Sequence, residues 1–110
     1  MRAALIAEAG SPPQIVDRDE PEGDVVVDVT AAPLNPVDLS IASGRFYAGP
    51  PNTPYVPGVE GVGRAADGTR YWFETGAGYL GDGAMAERAA VDRMSSDFAR
   101  TVVSAILEAF

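Results

Sequence analysis

The sequence predicts a mainly β domain of the small-barrel or distorted-sandwich class, and three observations carry that prediction. Six short segments rich in β-branched, aromatic or alternating apolar residues are separated by turns that contain proline or glycine. Only two segments show the periodicity of a helix. With 110 residues, of which 46% are hydrophobic, the chain suits one compact domain with a real core and is too short for an α/β barrel.

The six predicted strands lie in the first 91 residues. The strongest covers residues 24–32, where valines alternate with other residues and β-branched side chains dominate. The weaker candidates cover residues 3–7, 14–18, 59–66, 70–73 and 84–91. A Pro-Glu-Gly turn at 21–23 suggests that the second strand and the strand at 24–32 form a hairpin. Gly61 and Gly63 predict a bulge or a close backbone approach in the fourth strand.

Two segments have helical patterning. Residues 36–43 start with proline after Asn35, carry Asp38 in the first turn and stop before Gly44, which is typical of a short capped helix. Near 97–110, apolar residues recur every three to four positions and predict an amphipathic C-terminal helix. An apolar helix at a chain end has to pack on its own domain or on a second copy, and we expect a homo-oligomer that forms through it.

The composition excludes several classes of function. The chain has no His and no Cys, and its eight cationic side chains are all arginines, so it offers no thiolate or imidazole for zinc and no lysine for Schiff-base chemistry. The net charge of −8 disfavours nucleic acids and anionic membranes as partners. Because no apolar stretch is long enough to span a bilayer and no signal peptide is evident, we expect a cytoplasmic protein.

Two motifs resemble a known family. They read Ala-Ala-Pro-Leu-Asn-Pro-Val-Asp-Leu at residues 31–39 and Pro-Tyr-Val-Pro-Gly-Val-Glu-Gly-Val-Gly at residues 54–63. Together they resemble the GroES-like catalytic domain of medium-chain dehydrogenase/reductases, in the zinc-independent quinone oxidoreductase branch. The resemblance implies a GroES-like distorted small barrel over residues 1–92, followed by a helical segment at 93–110 that matches nothing in the family.

The resemblance also implies a function, which is the NADPH-dependent reduction of quinones or α,β-unsaturated carbonyls. In such enzymes the cofactor carries the hydride, and the protein supplies position and electrostatics. Family members continue into a Rossmann nucleotide-binding domain, so we expect this chain alone to bind no NADPH and to be inactive. In the zinc-dependent branch, a Cys and a His bind the catalytic metal at the positions of Asn35 and Val59, so we expect no zinc site here.

Five residues are candidates for the substrate cleft. By resemblance, Asn35 lines the nicotinamide and substrate cleft, although an Asn in this place is also an ordinary helix cap. Tyr47 is the second catalytic candidate, because a phenol can hydrogen-bond a carbonyl oxygen that gains charge. The usual family spacing would put Phe46 at the position of the family's active-site Tyr instead. The alternative for either ring is a loop aromatic that covers the core. Val59 and Glu60 are an apolar wall and an inherited carboxylate, or simply a strand residue and a paired acid.

Two further patterns indicate ordinary structural roles rather than functional sites. Residues 76–81 match Gly-x-Gly-x-x-Gly, but we reject a dinucleotide site. Such a site needs a helix directly after the motif and then a second parallel strand, whereas a strand-like segment and then one terminal helix follow here. Residues 17–28 carry six acidic side chains opposed only by Arg18, which indicates a solvated turn or, less simply, a docking surface for a basic partner.

Two other classes of protein compete with the oxidoreductase domain. One is a non-catalytic binding or dimerising module with a GroES-like fold, which pairs through its C-terminal helix. The other is a cochaperonin-like protein, which needs a mobile loop and ring-forming edges that the sequence does not identify.

Overall fold

The computed structural model describes residues 1–91, which form six strands and one helix. The elements are β1 (Arg2–Leu5), β2 (Gln14–Asp17), β3 (Val25–Ala31), α1 (Pro36–Ser43), β4 (Glu60–Ala65), β5 (Arg70–Glu74) and β6 (Arg88–Val91). The mainly β class and the short helix at 36–43 are thereby confirmed. The predicted helix near 97–110, and any homo-oligomer contact through it, lie outside the described residues. No helix within residues 1–91 combines the length and the apolar character needed to cross a membrane.

The strands curl into a half-barrel built from two antiparallel sheets. The larger sheet has the order β5-β4-β3-β6, and β1 pairs with β2 in the smaller one. The residues just before β6 join the two sheets, because Ala3 bridges Ala86 and the Glu87 N–H donates to the Arg2 carbonyl at 3.1 Å.

The predicted hairpin between β2 and β3 is wrong. β2 pairs with β1, with Ile15 opposite Ala4, whereas β3 lies between β4 and β6. The turn at 21–23 therefore carries the chain from one sheet to the other. A turn signal shows that the chain changes direction, but it does not show which strand each arm will pair with.

The acidic segment at 17–28 is fixed by arginines as well as by the turn. Arg18 donates to both carboxylate oxygens of Asp82, at 2.7 and 3.0 Å. Arg88 donates to both oxygens of Glu20, at 2.6 and 2.7 Å, and these hydrogen bonds hold the pKa of Glu20 below its usual value. The segment is thus tied to distant parts of the domain, and the expectation that only Arg18 opposes its charge misses the contribution of Arg88.

The inner face of β4 is made of glycine because other elements approach it closely. A Cβ atom on Gly63 would collide with the backbone carbonyl of Asp28, and one on Gly61 would lie 2.8 Å from the Phe73 ring. The register between β3 and β4 shifts between Val29 and Ala31. The predicted close backbone approach in this strand is thereby confirmed, whereas the extra residue of the irregular pairing lies in β3 rather than in β4.

Two apolar clusters stabilise the domain. The first lies on the inner face of the larger sheet and contains Val25, Val27, Phe73, Ala84, Ala89 and Val91. The second packs α1 against the residue that follows β1 and against neighbouring loops, and its buried members are Ile6, Ile41, Tyr55 and Ala77. The second cluster supports the end of α1 and the loops on which the candidate residues lie.

Tyr55 carries the one side-chain polar atom of residues 1–91 that is fully buried without a hydrogen-bond partner. The residue is only 2% exposed, and burial raises the pKa of its hydroxyl, with smaller contributions from Tyr79 and Asp38.

An unsatisfied buried hydroxyl is costly, so Tyr55→Phe should raise the free energy of unfolding by about 1 kcal/mol at neutral pH. Urea denaturation checks this, and Tyr47→Phe, at a residue that is 93% exposed, is the matched control.

The same pKa shift sets the direction of the pH dependence. The pKa of Tyr55 is higher in the folded chain than in the unfolded chain. The stability that is linked to protonation of its hydroxyl is therefore fully present below about pH 10, and it is lost as the pH rises through the pKa of the folded state. The advantage of Tyr55→Phe over wild type should therefore grow above about pH 10. A variant less stable than wild type at neutral pH would show that the hydroxyl has a partner.

Candidate active site

The start of α1 is tied to the start of β4 by one buried carboxylate. Asp38 is 4% exposed. Its Oδ2 accepts the backbone N–H of Asn35 at 2.8 Å, and its Oδ1 accepts the backbone N–H of Val59 at 2.9 Å. Burial of the charge is tolerated because both oxygens accept hydrogen bonds from the backbone. Asp38 thereby brings Asn35 beside Val59 and Glu60, although these residues are far apart in the sequence.

The side chains of Asn35, Glu60 and Trp72 form a continuous polar cluster. Asn35 Nδ2 donates to Glu60 Oε1 at 2.8 Å, and Trp72 Nε1 donates to Glu60 Oε2 at 3.2 Å. All three residues are half-buried. The Glu60 carboxylate is thus oriented by two neutral donors, and the Asn35 amide is held in one orientation by the carboxylate.

This cluster, which we call the amide–carboxylate cluster, opens onto an apolar surface. Leu34, immediately before Asn35, is 65% exposed, and Val62, opposite Trp72 in the β4–β5 register, is 39% exposed. Side chains directly opposite each other on neighbouring strands lie on the same face of a sheet. Val62 and Trp72 therefore form the apolar floor beside the polar groups.

The two aromatic candidates have different environments. Phe46 is half-buried against the second apolar cluster, with its ring centroid 6.0 Å from that of Tyr79. Tyr47 is 93% exposed, its ring lies 4.5 Å from that of Phe46, and its hydroxyl makes no hydrogen bond within residues 1–91. Phe46 and Val59 border the same cluster, whereas no hydrogen bond or ring contact within the described part of the chain joins Tyr47 to Asn35 or Glu60.

The Gly-x-Gly-x-x-Gly segment at 76–81 is a compact loop. The Gly76 carbonyl accepts the N–H groups of Tyr79 and Leu80, at 2.9 and 2.8 Å. The Tyr79 hydroxyl donates to the Gly49 carbonyl at 2.7 Å and holds the loop against residues 49–52. Within residues 1–91 the chain then continues to β6 without a helix, so the loop lacks the context of a dinucleotide site.

Sequence reasoning missed two members of this site. Asp38 lies at the third helical position, and that pattern signals its bond to the Asn35 N–H but not its bond to Val59. Trp72 reaches Glu60 because β4 and β5 are paired strands, and only a correct register would have placed it there. Both contributions depend on tertiary contacts.

The comparisons with known proteins identify the family. Residues 21–76 match the family described as the alcohol dehydrogenase GroES-like domain. The chain belongs to this family. Among curated proteins, no match is found.

Two solved structures are similar to this chain. The quinone oxidoreductase from Thermus thermophilus, whose complex with NADPH is also known, is 34% identical, with a TM-score of 0.73 over 86% of this chain and 31% of its own. The human synaptic vesicle membrane protein VAT-1 homolog-like protein is 27% identical, with a TM-score of 0.63 over 81% of this chain and 32% of its own. This GroES-like chain thus spans about a third of the length of each relative.

The donor set of this GroES-like domain does not fit a catalytic zinc ion. Asn35 offers an amide, Val59 offers only hydrocarbon, and the Glu60 carboxylate already accepts two hydrogen bonds. Within residues 1–91, no group of three or more His, Cys, Asp or Glu side chains converges on a point. Catalytic zinc requires three protein ligands and an open position.

The Asp38 carboxylate can be tested by an isosteric change. Asp38→Asn keeps the volume but provides one acceptor oxygen for two backbone N–H groups, so it should lower the free energy of unfolding by about 1–3 kcal/mol in urea denaturation. Asp24→Asn makes the same charge change at an exposed position and should have little effect. Equal stability of the two variants would mean that Asp38 does not hold α1 to β4.

Proposed function

We propose that this chain is the substrate-side domain of a zinc-independent, NADPH-dependent oxidoreductase that reduces quinones or α,β-unsaturated carbonyls. The observation that carries the proposal is the Asn35 amide, which is fixed by Glu60 beside an open apolar surface. The likeness to the Thermus quinone oxidoreductase, at 34% identity, supports the substrate class and the cofactor.

Asn35 has the chemistry to orient a nicotinamide or a carbonyl substrate. Its bond to the Glu60 carboxylate polarises the amide, which makes the Asn35 carbonyl a stronger acceptor for a carboxamide N–H. Because the amide is already held in place, it loses little conformational freedom when a ligand binds. NADPH, when bound, supplies the hydride, and the protein's part is to place the reacting groups.

The other candidates form the walls of the proposed cleft. Val59 and Phe46 supply hydrocarbon at the edge of the second apolar cluster. The exposed Tyr47 hydroxyl is available to donate to a carbonyl oxygen as charge develops there. Leu34 and Val62 leave apolar surface beside Asn35, which a nucleotide-binding domain would cover in the complete enzyme.

Ligand binding to the isolated chain is testable by NMR, which detects weak complexes. The chain has one Trp, two Asn and one Gln, so the indole N–H of Trp72 and the side-chain amides of Asn35, Asn52 and Gln14 give few signals. Duroquinone or reduced nicotinamide mononucleotide should shift the Trp72 and Asn35 signals in a saturable way and leave Asn52 unchanged. Asn35→Ala should weaken binding by up to about tenfold, whereas Asn52→Ala should not.

If neither ligand moves the Asn35 and Trp72 signals of the folded chain, the substrate-side assignment is wrong. That result would favour the alternative, a non-catalytic binding or dimerising module on a GroES-like fold.

Turnover should require more than this chain. The purified chain, mixed with NADPH and a quinone, should not accelerate the loss of absorbance of the reduced nicotinamide, because residues 1–91 hold no helix after the glycine loop at 76–81 to receive a pyrophosphate. A reaction that saturates with both NADPH and quinone would contradict this expectation.

No zinc should remain on the protein after dialysis against a chelator. The physical reason is the lack of Cys and His in the whole chain, together with the hydrogen bonds that already engage the Asp38 and Glu60 carboxylates near Asn35. Elemental analysis gives the answer directly, and one equivalent of retained zinc would overturn the zinc-independent assignment.

A further inference from the structure

The carboxylate of the amide–carboxylate cluster is held by hydrogen bonds from neutral groups alone. Glu60 accepts one bond from the Asn35 amide and one from the Trp72 indole, and neither donor carries a charge. Glu60 takes part in no ion pair within residues 1–91. A carboxylate has about four lone-pair sites for hydrogen bonds, so the two bonds leave part of its capacity unused. The site therefore keeps both a negative charge and room for a further partner.

A second carboxylate lies on the same face of the sheet. Glu74 is exposed and lies directly opposite Glu60 in the register of β4 and β5. Opposite residues on paired strands share a face, and like charges in that position repel each other. Glu74 also takes part in no ion pair within the described part of the chain. A cation bound beside the two carboxylates would relieve this repulsion.

The other charges near the cluster do not cancel this negative potential. Asp38 adds little to it, because two backbone N–H groups and the N-terminal end of α1 offset its charge. Arg64 lies four residues along β4 from Glu60. Arg70 is equally far from Glu74 along β5. Four residues of strand span about 13 Å, which exceeds the Debye length of about 8 Å at physiological ionic strength.

We propose that this site selects planar ring ligands by their charge, and binds a cationic ring more tightly than a neutral ring of the same shape. The inference rests on the proposed function, in which the ligand is a nicotinamide. The oxidised and reduced nicotinamide rings differ by one hydride and therefore by one positive charge. Trp72 adds to the selection, because an indole attracts a cation to its face more strongly than other aromatic side chains do. The Asn35 amide does not discriminate, since both rings carry the same carboxamide.

Charge selection gives Glu60 and Glu74 a role beyond the support of Asn35. These two carboxylates favour positive charge on a bound ring, and they disfavour negative charge on a substrate oxygen. Groups that bind a charge more strongly than its neutral precursor promote the step that forms it. A substrate oxygen that gains negative charge then belongs on the side of Tyr47, whose ring contacts Phe46 and not the cluster within residues 1–91.

NMR titrations of the full chain with three matched ligands test the selection. 1-Methylnicotinamide is a planar cation, 3-methylbenzamide is its neutral isostere, and 1-methyl-1,4-dihydronicotinamide is its reduced form. All three should shift the signals of the Trp72 indole and the Asn35 amide. The cation should bind about tenfold more tightly than either neutral ligand. The difference should shrink as sodium chloride is added, because salt screens the carboxylates.

Two substitutions remove the charges one at a time. Glu74→Gln leaves the hydrogen bonds of the cluster in place, and it should lower the preference for the cation by about threefold without changing the affinity for 3-methylbenzamide. Glu60→Gln should bring the two affinities close to equality. Because the preference is a ratio measured within each variant, a general loss of affinity does not affect it. Glu8→Gln makes the same charge change in the exposed turn after β1 and should keep the full preference.

The results distinguish failure of this inference from failure of the proposed function. Equal affinities of the wild-type chain for the three ligands would overturn charge selection and leave the proposed function in place. A preference for the cation that survives both Glu60→Gln and Glu74→Gln would have the same meaning, because the charge would then come from elsewhere. If none of the three ligands moves the Trp72 and Asn35 signals of the folded chain, the proposed function is wrong and charge selection is wrong with it.

Discussion

The position of the candidate site depends on one buried carboxylate that joins two backbone segments. Asp38 accepts N–H groups from the residue before α1 and from the residue before β4, so a single side chain fixes the relative position of helix and strand. The apolar cluster around Ile41 and Tyr55 packs against the same helix. Asn35 owes its contact with Glu60 to the same constraint, because Asp38 holds the Asn35 backbone in place.

A second carboxylate also joins distant parts of the chain. Asp82 accepts the Arg18 guanidinium and also the backbone N–H of Val56 at 3.0 Å. Backbone N–H groups that face away from a strand ladder need an acceptor, and at Asn35, Val56, Val59 and Thr69 that acceptor is an aspartate side chain. Part of the acidic excess is therefore architectural, since these acids hold loops to the body of the domain.

The sequence predicts local structure well and tertiary pairing poorly, for physical reasons. Alternation of valines and the capping pattern around α1 are local properties, and both elements lie where those patterns place them. The partner of β2 is decided by long-range packing, and the turn signal at 21–23 contains no information on it. Asn35 and Glu60 could be named from the resemblance to a family, but the roles of Asp38 and Trp72 follow from the β4–β5 register and the position of α1. The choice between Phe46 and Tyr47 likewise rests on burial, which puts Phe46 against the core and Tyr47 in solvent.

The glycines of β4 divide that strand into two faces with different freedom to change. On the inner face, Gly61 and Gly63 leave no room for a side chain, so almost any mutation there is removed by selection for folding. The outer face carries Glu60, Val62 and Arg64, which are half-buried or exposed. Substitutions on this face leave the core intact. Evolution can therefore vary the chemistry of one face of β4 while the other face keeps the fold constant. A domain built this way can acquire new specificities through single substitutions on the outer face without first having to gain stability.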